Sequence, residues 1–379
     1  MTSPSDAPSP AADQPLSGRP VPRPGVMDAP LYVPGTHKAG DDPAILSANE
    51  NPLGCSPAAI DAFKSVGDSL HRYPEGGSVD LREAIGVIHG LDPARIVCGA
   101  GSDELITLLV RAYAGPEDEV LYSRHGFLMY PITARTVGAT PVAAPERDLS
   151  TDVDQLLAHV TERTKIVFVA NPNNPTGSWI PESELKRLRD GLPDHVLLVI
   201  DSAYAEYVAA DGYGDGRALV DAGENVVMTR TFSKIYGLAA LRLGWGYMPA
   251  GVVDVLNRLR SPFNINAAAQ AAGVAAVRDQ DFVARSVAEN AEQLRRLQQS
   301  LQQLGLETPP SVCNFTLAGF TDEETAAAAN AWLLERGVIV RAMGAYGLPR
   351  HLRVTVGTKD EVTRLLDALA DFMKERGGA

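Results

Sequence analysis

Two continuously apolar runs, IVFVA at 166–170 and VLLVI at 196–200, constrain this chain more than any other feature. A strand wetted on one face alternates apolar and polar residues, so a run without alternation has to be covered on both faces. Five further β-branched runs, at 95–98, 119–122, 140–143, 226–230 and 244–248, alternate with helical stretches from about Pro57 onward. That alternation predicts an α/β fold, a mostly parallel central sheet with helices on both faces. Both apolar runs end in polar residues, 171–177 after the first and 201–204 after the second. Ligands of open α/β sheets sit beyond the carboxyl ends of the strands, so a site is expected there.

After Pro262 the pattern changes. A helical stretch over 267–304 is followed by strand candidates at 314–317 and 338–341 around an amphipathic helix at 322–336, then a strand at 352–356 and a closing helix at 359–375. We expect a large domain over 57–265 and a smaller α+β domain over 266–379, with 29–56 contributing to the small domain and to a substrate site. Residues 1–28 are rich in Pro, Ser, Ala and Asp and lack the apolar core of a signal peptide, which predicts a disordered arm. The sequon at Asn314 reads as part of a buried strand, and 211–216 lacks the ligand spacing of an EF-hand and reads as a loop.

The net charge of −13 argues against nucleic-acid binding. No apolar run is long enough to span a bilayer. Cys55, Cys98 and Cys313 are far apart, with no CxxC and no clustered histidines, so neither a disulfide framework nor a metal site is indicated. A reducing cytoplasm is expected.

The chemistry concentrates in TRTFSKIYGLAALRLGW, 229–245, where Thr231 and Ser233 precede Lys234 and Arg242 follows it. A solvated surface lysine would leave that convergence on an apolar segment unexplained. Hydroxyls and a guanidinium can instead cup a phosphate while the lysine amine condenses with an aldehyde. In GAGSDE, 99–104, Gly101, Ser102 and Asp103 open a helix whose N–H groups suit a phosphate, and the same residues would serve as a helix cap. A dinucleotide fingerprint fails, because Glu104 stands where GxGxxG needs its last glycine. Asp201, ending an apolar strand, would be costly to bury without a cationic partner.

These segments resemble the class I/II, fold type I aminotransferases, and more closely the histidinol-phosphate aminotransferases, from about Tyr32 to the end of the chain. LSANENPLG (46–54), HRYPEGG (71–77), GAGSDE (99–104), NPNNPTG (171–177), DSAYAEY (201–207), the Lys234 segment and LRVTVGT (352–358) follow in the family's order. The resemblance implies pyridoxal 5'-phosphate as cofactor, carried by Lys234. It implies transamination between histidinol phosphate and 2-oxoglutarate, giving imidazole acetol phosphate and glutamate in histidine biosynthesis. It also implies a homodimer in which Tyr73 reaches the cofactor phosphate of the neighbouring site.

By the same resemblance, Asp201 meets the ring nitrogen, Asn174 and Tyr204 the 3-oxygen, and Phe127 stacks on the ring where many relatives have tyrosine. Thr231, Ser233, Arg242 and Gly101–Asp103 take the phosphate. Tyr32, Asn49, Arg341 and Arg353 are carried over as substrate residues, Arg353 for an α-carboxylate and Arg341 with Tyr32 for the phosphate of histidinol phosphate. Ala342 replaces a commoner proline, and Arg124 and Arg350 take no role. The alternative substrate on this scaffold is an aromatic amino acid, phenylalanine or tyrosine. A related decarboxylase and a regulator without catalysis are further readings; no helix-turn-helix precedes Tyr32, and Lys234 and Asp201 are both present.

Overall fold

The computed structural model describes residues 22–31 and 42–377, so Tyr32 and most of the expected arm lie outside the described residues. The strands, in chain order, are β1 Ala44–Ile45, β2 Ile96–Gly99, β3 Glu119–Ser123, β4 Thr140–Ala144, β5 Glu146–Arg147, β6 Ser150–Thr151 and β7 Thr164–Ala170. They continue as β8 Leu197–Asp201, β9 Val226–Thr231, β10 Gly244–Tyr247, β11 Phe315–Gly319, β12 Val338–Ile339, β13 Arg341–Ala342 and β14 His351–Thr355. Seven of them form one sheet in the order β2-β10-β9-β8-β7-β3-β4. Within it β10 runs antiparallel to both neighbours, and the other pairings are parallel.

Period-two alternation splits this sheet's side chains between two cores. Val167, Val169, Leu198 and Ile200 join one apolar cluster, while Ile166, Phe168, Leu197 and Val199 join another on the opposite face. That is why the two central strands read as unbroken apolar runs. A third cluster gathers Ala44 and Leu46 with residues of the C-terminal part, among them Leu297, Val338, Val354 and Leu365. Here β11, β14 and β13 form a second, antiparallel sheet, and β1 pairs in parallel with β12.

The structure departs from sequence expectation in three places. The helical stretch 267–304 is two helices, Ala267–Arg278 and Gln280–Gln303, because the Asp279 carboxylate accepts the Phe282 N–H and starts a new helix. The expected strand at 338–341 is two short ones, since Val338–Ile339 pairs with β1 and Arg341–Ala342 with β14, partners in different sheets. Within the expected disordered arm, the described residues 22–28 form a turn against the helix Met129–Thr136, with the Arg23 guanidinium donating to the Thr136 carbonyl at 3.1 Å. Among the described residues no helix is long and apolar enough to cross a membrane.

Candidate active site

The carboxyl ends of β2, β7, β8 and β9 open into one cavity of about 490 Å³. Thirteen sequence candidates line it: Asn49, Ser102, Asp103, Phe127, Asn174, Asp201, Tyr204, Thr231, Ser233, Lys234, Arg242, Arg341 and Arg353. Gly101 lies directly behind Ser102. Tyr73 lies outside the cavity, 81% exposed, with its ring stacked on Phe263 at 4.6 Å. Neither Arg124 nor Arg350 lines the cavity, and Arg350 instead donates to the Phe320 carbonyl at 3.5 Å.

One wall is built for an anion. The helix Ser102–Tyr113 starts after Gly101 with no side-chain cap, so its first N–H groups face the cavity with the positive end of the helix dipole. Gly101 has φ +82°, and a Cβ there would stand 2.6 Å from Arg242 Nη2. Arg242 donates to Ser233 Oγ at 3.3 Å and pairs with Asp103 at 3.1 Å. Thr231 Oγ1 accepts the Ser233 N–H at 3.0 Å, which shapes the turn leading to Lys234.

Asp201 closes β8 and is 5% exposed. Its carboxylate accepts the Tyr130 hydroxyl at 2.8 Å and the Thr229 hydroxyl at 3.3 Å, and no cation pairs with it among the described residues. Burial pushes its pKa up to about 6 against the two hydrogen bonds that favour the ion. Tyr130 is a site residue that the sequence reading missed. It is 71 residues from Asp201, and its ring stacks on Phe168 at 4.4 Å, so nothing in its own segment separates it from a packing tyrosine.

Lys234 donates to the Ala48 carbonyl at 2.9 Å, and its amine lies 5.9 Å from the centre of the Tyr204 ring. Desolvation, followed by the Arg353 and Arg242 guanidiniums, pushes the amine down to about 8, with Asp103 and Glu50 opposing. The carbonyl belongs to a strap, residues 47–50, that crosses the cavity. Arg353 holds the Ser47 carbonyl at 2.9 Å, and Thr355 Oγ1 accepts the Asn49 N–H at 2.9 Å. The amide of Asn314, which the sequence placed in a buried strand but gave no part in the site, donates to the Asn49 carbonyl at 2.9 Å.

Asn49 adopts φ +57°, a left-handed conformation that asparagine tolerates better than most residues. Its side chain is thereby turned to donate to the Tyr204 hydroxyl at 2.9 Å. Just beyond the strap, the chain at Gly54 packs on the loop after Lys234. A Cβ at Gly237, where φ is +67°, would stand 1.9 Å from the Gly54 carbonyl oxygen. Left-handed strain and overpacking of this size sum to about 2–5 kcal/mol. Gly237→Ala is therefore expected to lower the thermal midpoint clearly in a melting experiment; an unchanged midpoint would mean that the Gly54 and Gly237 backbones are not packed together there.

Arg353 and Arg341 sit opposite one another in the β13–β14 register, which brings two guanidiniums to the same side of the cavity. Arg353 is 6% exposed and donates to Asn174 Oδ1 at 2.5 Å, while its Nε is buried without a hydrogen-bond partner among the described residues. Phe127 meets Tyr130 edge to face at 5.9 Å. Glu50, Met129 and Tyr346 line the cavity as well, although the sequence assigned none of them.

The family model for aminotransferase class I and II matches residues 42–369. A histidinol-phosphate aminotransferase of Rhodospirillum centenum is 58% identical over 362 residues, 95% of this chain and 100% of that one. One from Paramagnetospirillum magneticum is 54% identical over 358 residues, 93% of this chain and 99% of that one. The crystal structure of histidinol-phosphate aminotransferase from Sinorhizobium meliloti in complex with pyridoxal-5'-phosphate superposes with a TM-score of 0.83 at 29% identity, covering 87% of this chain and 91% of that one. Sequence, fold and cavity agree, and the chain belongs to the fold type I, class I and II aminotransferases, within the histidinol-phosphate aminotransferase family.

Proposed function

We propose that this chain transfers an amino group between histidinol phosphate and 2-oxoglutarate in histidine biosynthesis, with pyridoxal 5'-phosphate as its resident cofactor. One observation carries the reading: a buried carboxylate, Asp201, and the amine of Lys234 follow adjacent parallel strands and face one cavity. The residues fit the group. Asp201 is a buried acid that no described cation neutralises, and a helix without a side-chain cap opens beside Ser233 and Arg242.

When bound, the cofactor supplies an electron sink for the pair left behind as a substrate Cα–H bond breaks. Asp201 would hold the ring nitrogen protonated, with Tyr130 and Thr229 keeping its carboxylate ionised and aimed. The first N–H groups of the helix Ser102–Tyr113, Thr231, Ser233 and Arg242 would hold the phosphate. Asn174 and Tyr204 would meet the ring oxygen, and Phe127 would cover the ring. Lys234, with its amine near pKa 8, would take the proton from the substrate Cα and return it to carbon on the far side of the nitrogen, two bonds away. Arg353 would grip a carboxylate through its planar fork, and Arg341, with Tyr32, the phosphate of histidinol phosphate. Asn49 would shape the substrate side through the strap.

The exposed Tyr73–Phe263 pair supports a homodimer in which Tyr73 serves the partner's site. On this reading residues 57–265 hold the cofactor, 266–379 with 29–56 form the smaller unit, and the enzyme works in the cytoplasm. Charge-assisted bonds to a phosphate contribute about 1.5–3 kcal/mol each. Histidinol phosphate gains two of them through Arg341 and Tyr32 and, having no carboxylate, forgoes the one that Arg353 offers phenylalanine, so the net predicts a preference of roughly 10–10²-fold in kcat/KM for histidinol phosphate. The test is a side-by-side half-reaction screen followed by cofactor absorbance. Equal or better use of phenylalanine overturns the substrate and keeps the reaction, whereas silence with every amine overturns the reaction.

A further inference from the structure

On the face of β9 turned away from Thr229 and Thr231 lies a set of buried charges with no part in the chemistry above. Arg230 is 4% exposed and pairs with Glu206 at 2.8 Å and Asp215 at 2.6 Å, and Asp215 also pairs with the more exposed Arg217 at 2.8 Å. The Glu206 side chain is only 8% exposed. Its other neighbour is the fully buried Tyr236, whose phenol this carboxylate helps keep protonated.

The chain positions of these partners matter more than their charge. Arg230 comes just before the turn that carries Thr231, Ser233 and Lys234, and Tyr236 comes just after Lys234. Glu206 is two residues beyond Tyr204. The ladder between β8 and β9 ends at the Asp201–Thr229 pair, so beyond it no strand pairing keeps the Tyr204 segment in register with the Lys234 turn. From the segment that carries Tyr204, Glu206 reaches across that gap to pair with Arg230 at the near end of the turn, and its charge acts on Tyr236 at the far end.

We propose that Glu206 is a positioning residue: it fixes the Tyr204 phenol relative to the Lys234 amine across the open ends of β8 and β9. The inference rests on the cofactor reading above. Asp215 supplies the control. It pairs with the same arginine, and its link toward the Tyr204 segment is a bond from Ser202 Oγ to its backbone oxygen at 2.8 Å, which a side-chain change leaves intact. Asp215→Asn therefore removes a comparable buried charge without releasing Tyr204.

The test titrates the visible absorbance of the full-length, cofactor-loaded protein against pH, beside a thermal melt. A phenol donating to the ring oxygen favours the unprotonated chromophore, so a displaced Tyr204 raises the midpoint. Glu206→Gln is expected to raise it by about one unit. Loss of a nearby negative charge alone would lower it, so the sign separates the two effects. Asp215→Asn, which removes a charge without releasing Tyr204, is expected to melt lower and to titrate at or below the wild-type midpoint, never above it. Glu206→Asp, which keeps the charge, is expected to shift less than the glutamine variant and serves if that variant does not fold. A Glu206 variant that titrates like wild type, or equal shifts in the Glu206 and Asp215 variants, overturns the positioning role alone. A wild-type protein with no visible band overturns the cofactor reading and this inference with it.

Discussion

Lys234→Ala is expected to lower turnover by roughly 10²–10⁴-fold through the lost proton transfer alone, and further through loss of the covalent hold on the cofactor. Borohydride treatment of the cofactor-loaded protein should label Lys234 in wild type and nothing at that position in the variant. The pH dependence is a sharper check. Desolvation and two guanidiniums bring this amine to about 8 from an ordinary 10.5. At pH 7 it therefore holds about 300 times more neutral amine than an ordinary lysine. Its rate of addition to a small aldehyde, read by borohydride trapping and peptide mapping, should rise about tenfold per pH unit below 8 and level off above. A rate still climbing past pH 9 would mean that the cavity leaves the amine unperturbed. Wild-type multiple turnover by Lys234→Ala would remove the residue from the mechanism altogether.

Asp201→Asn should be nearly as damaging to catalysis and harmless to the fold. Removing one partner of a buried charge pair costs about 3–5 kcal/mol, or roughly 10²–10⁴ in rate, because a neutral amide cannot keep the ring nitrogen protonated. The effect on stability has the opposite sign. Without cofactor, Asp201 has a folded pKa of about 6 against 3.8 for the free side chain. The folded state thus holds the proton more tightly, and that stabilising contribution is present below 3.8 and lost as pH rises through 6. Above pH 6 the ionised carboxylate is a burden that asparagine lacks. Cofactor-free Asp201→Asn should therefore melt at or above wild type at pH 7, while kcat in the loaded enzyme collapses. A variant that melts lower and keeps its rate would show that Asp201 serves the fold and not the ring.

Much of this was legible along the chain because of where the residues sit. Lys234, Asp201, Asn174 and the Gly101–Asp103 turn all follow strand ends, and strands buried on both faces announce themselves by unbroken apolar runs. The partners that aim these groups carried no such mark. Tyr130 is 71 residues from Asp201, and Asn49 is 306 residues from Thr355. Glu206 sits inside a recognisable motif, yet nothing in DSAYAEY says that its carboxylate turns away from the cavity to Arg230.

By itself, then, the sequence determined the covered, mostly parallel sheet, the strand ends where the polar residues gather, and the places in the chain of the lysine and the buried acid on which the proposed function rests. Those features depend on periodicity and on neighbours a few residues apart. Only the tertiary structure decided the strap over Lys234, the break at Asp279, the division of 338–341 between two sheets, and the hydroxyls and ion pairs behind Asp201 and Tyr204. Each of these is a contact good to a few tenths of an ångström between distant segments, and such a contact follows from how elements cross, which no spacing along one strand or helix encodes.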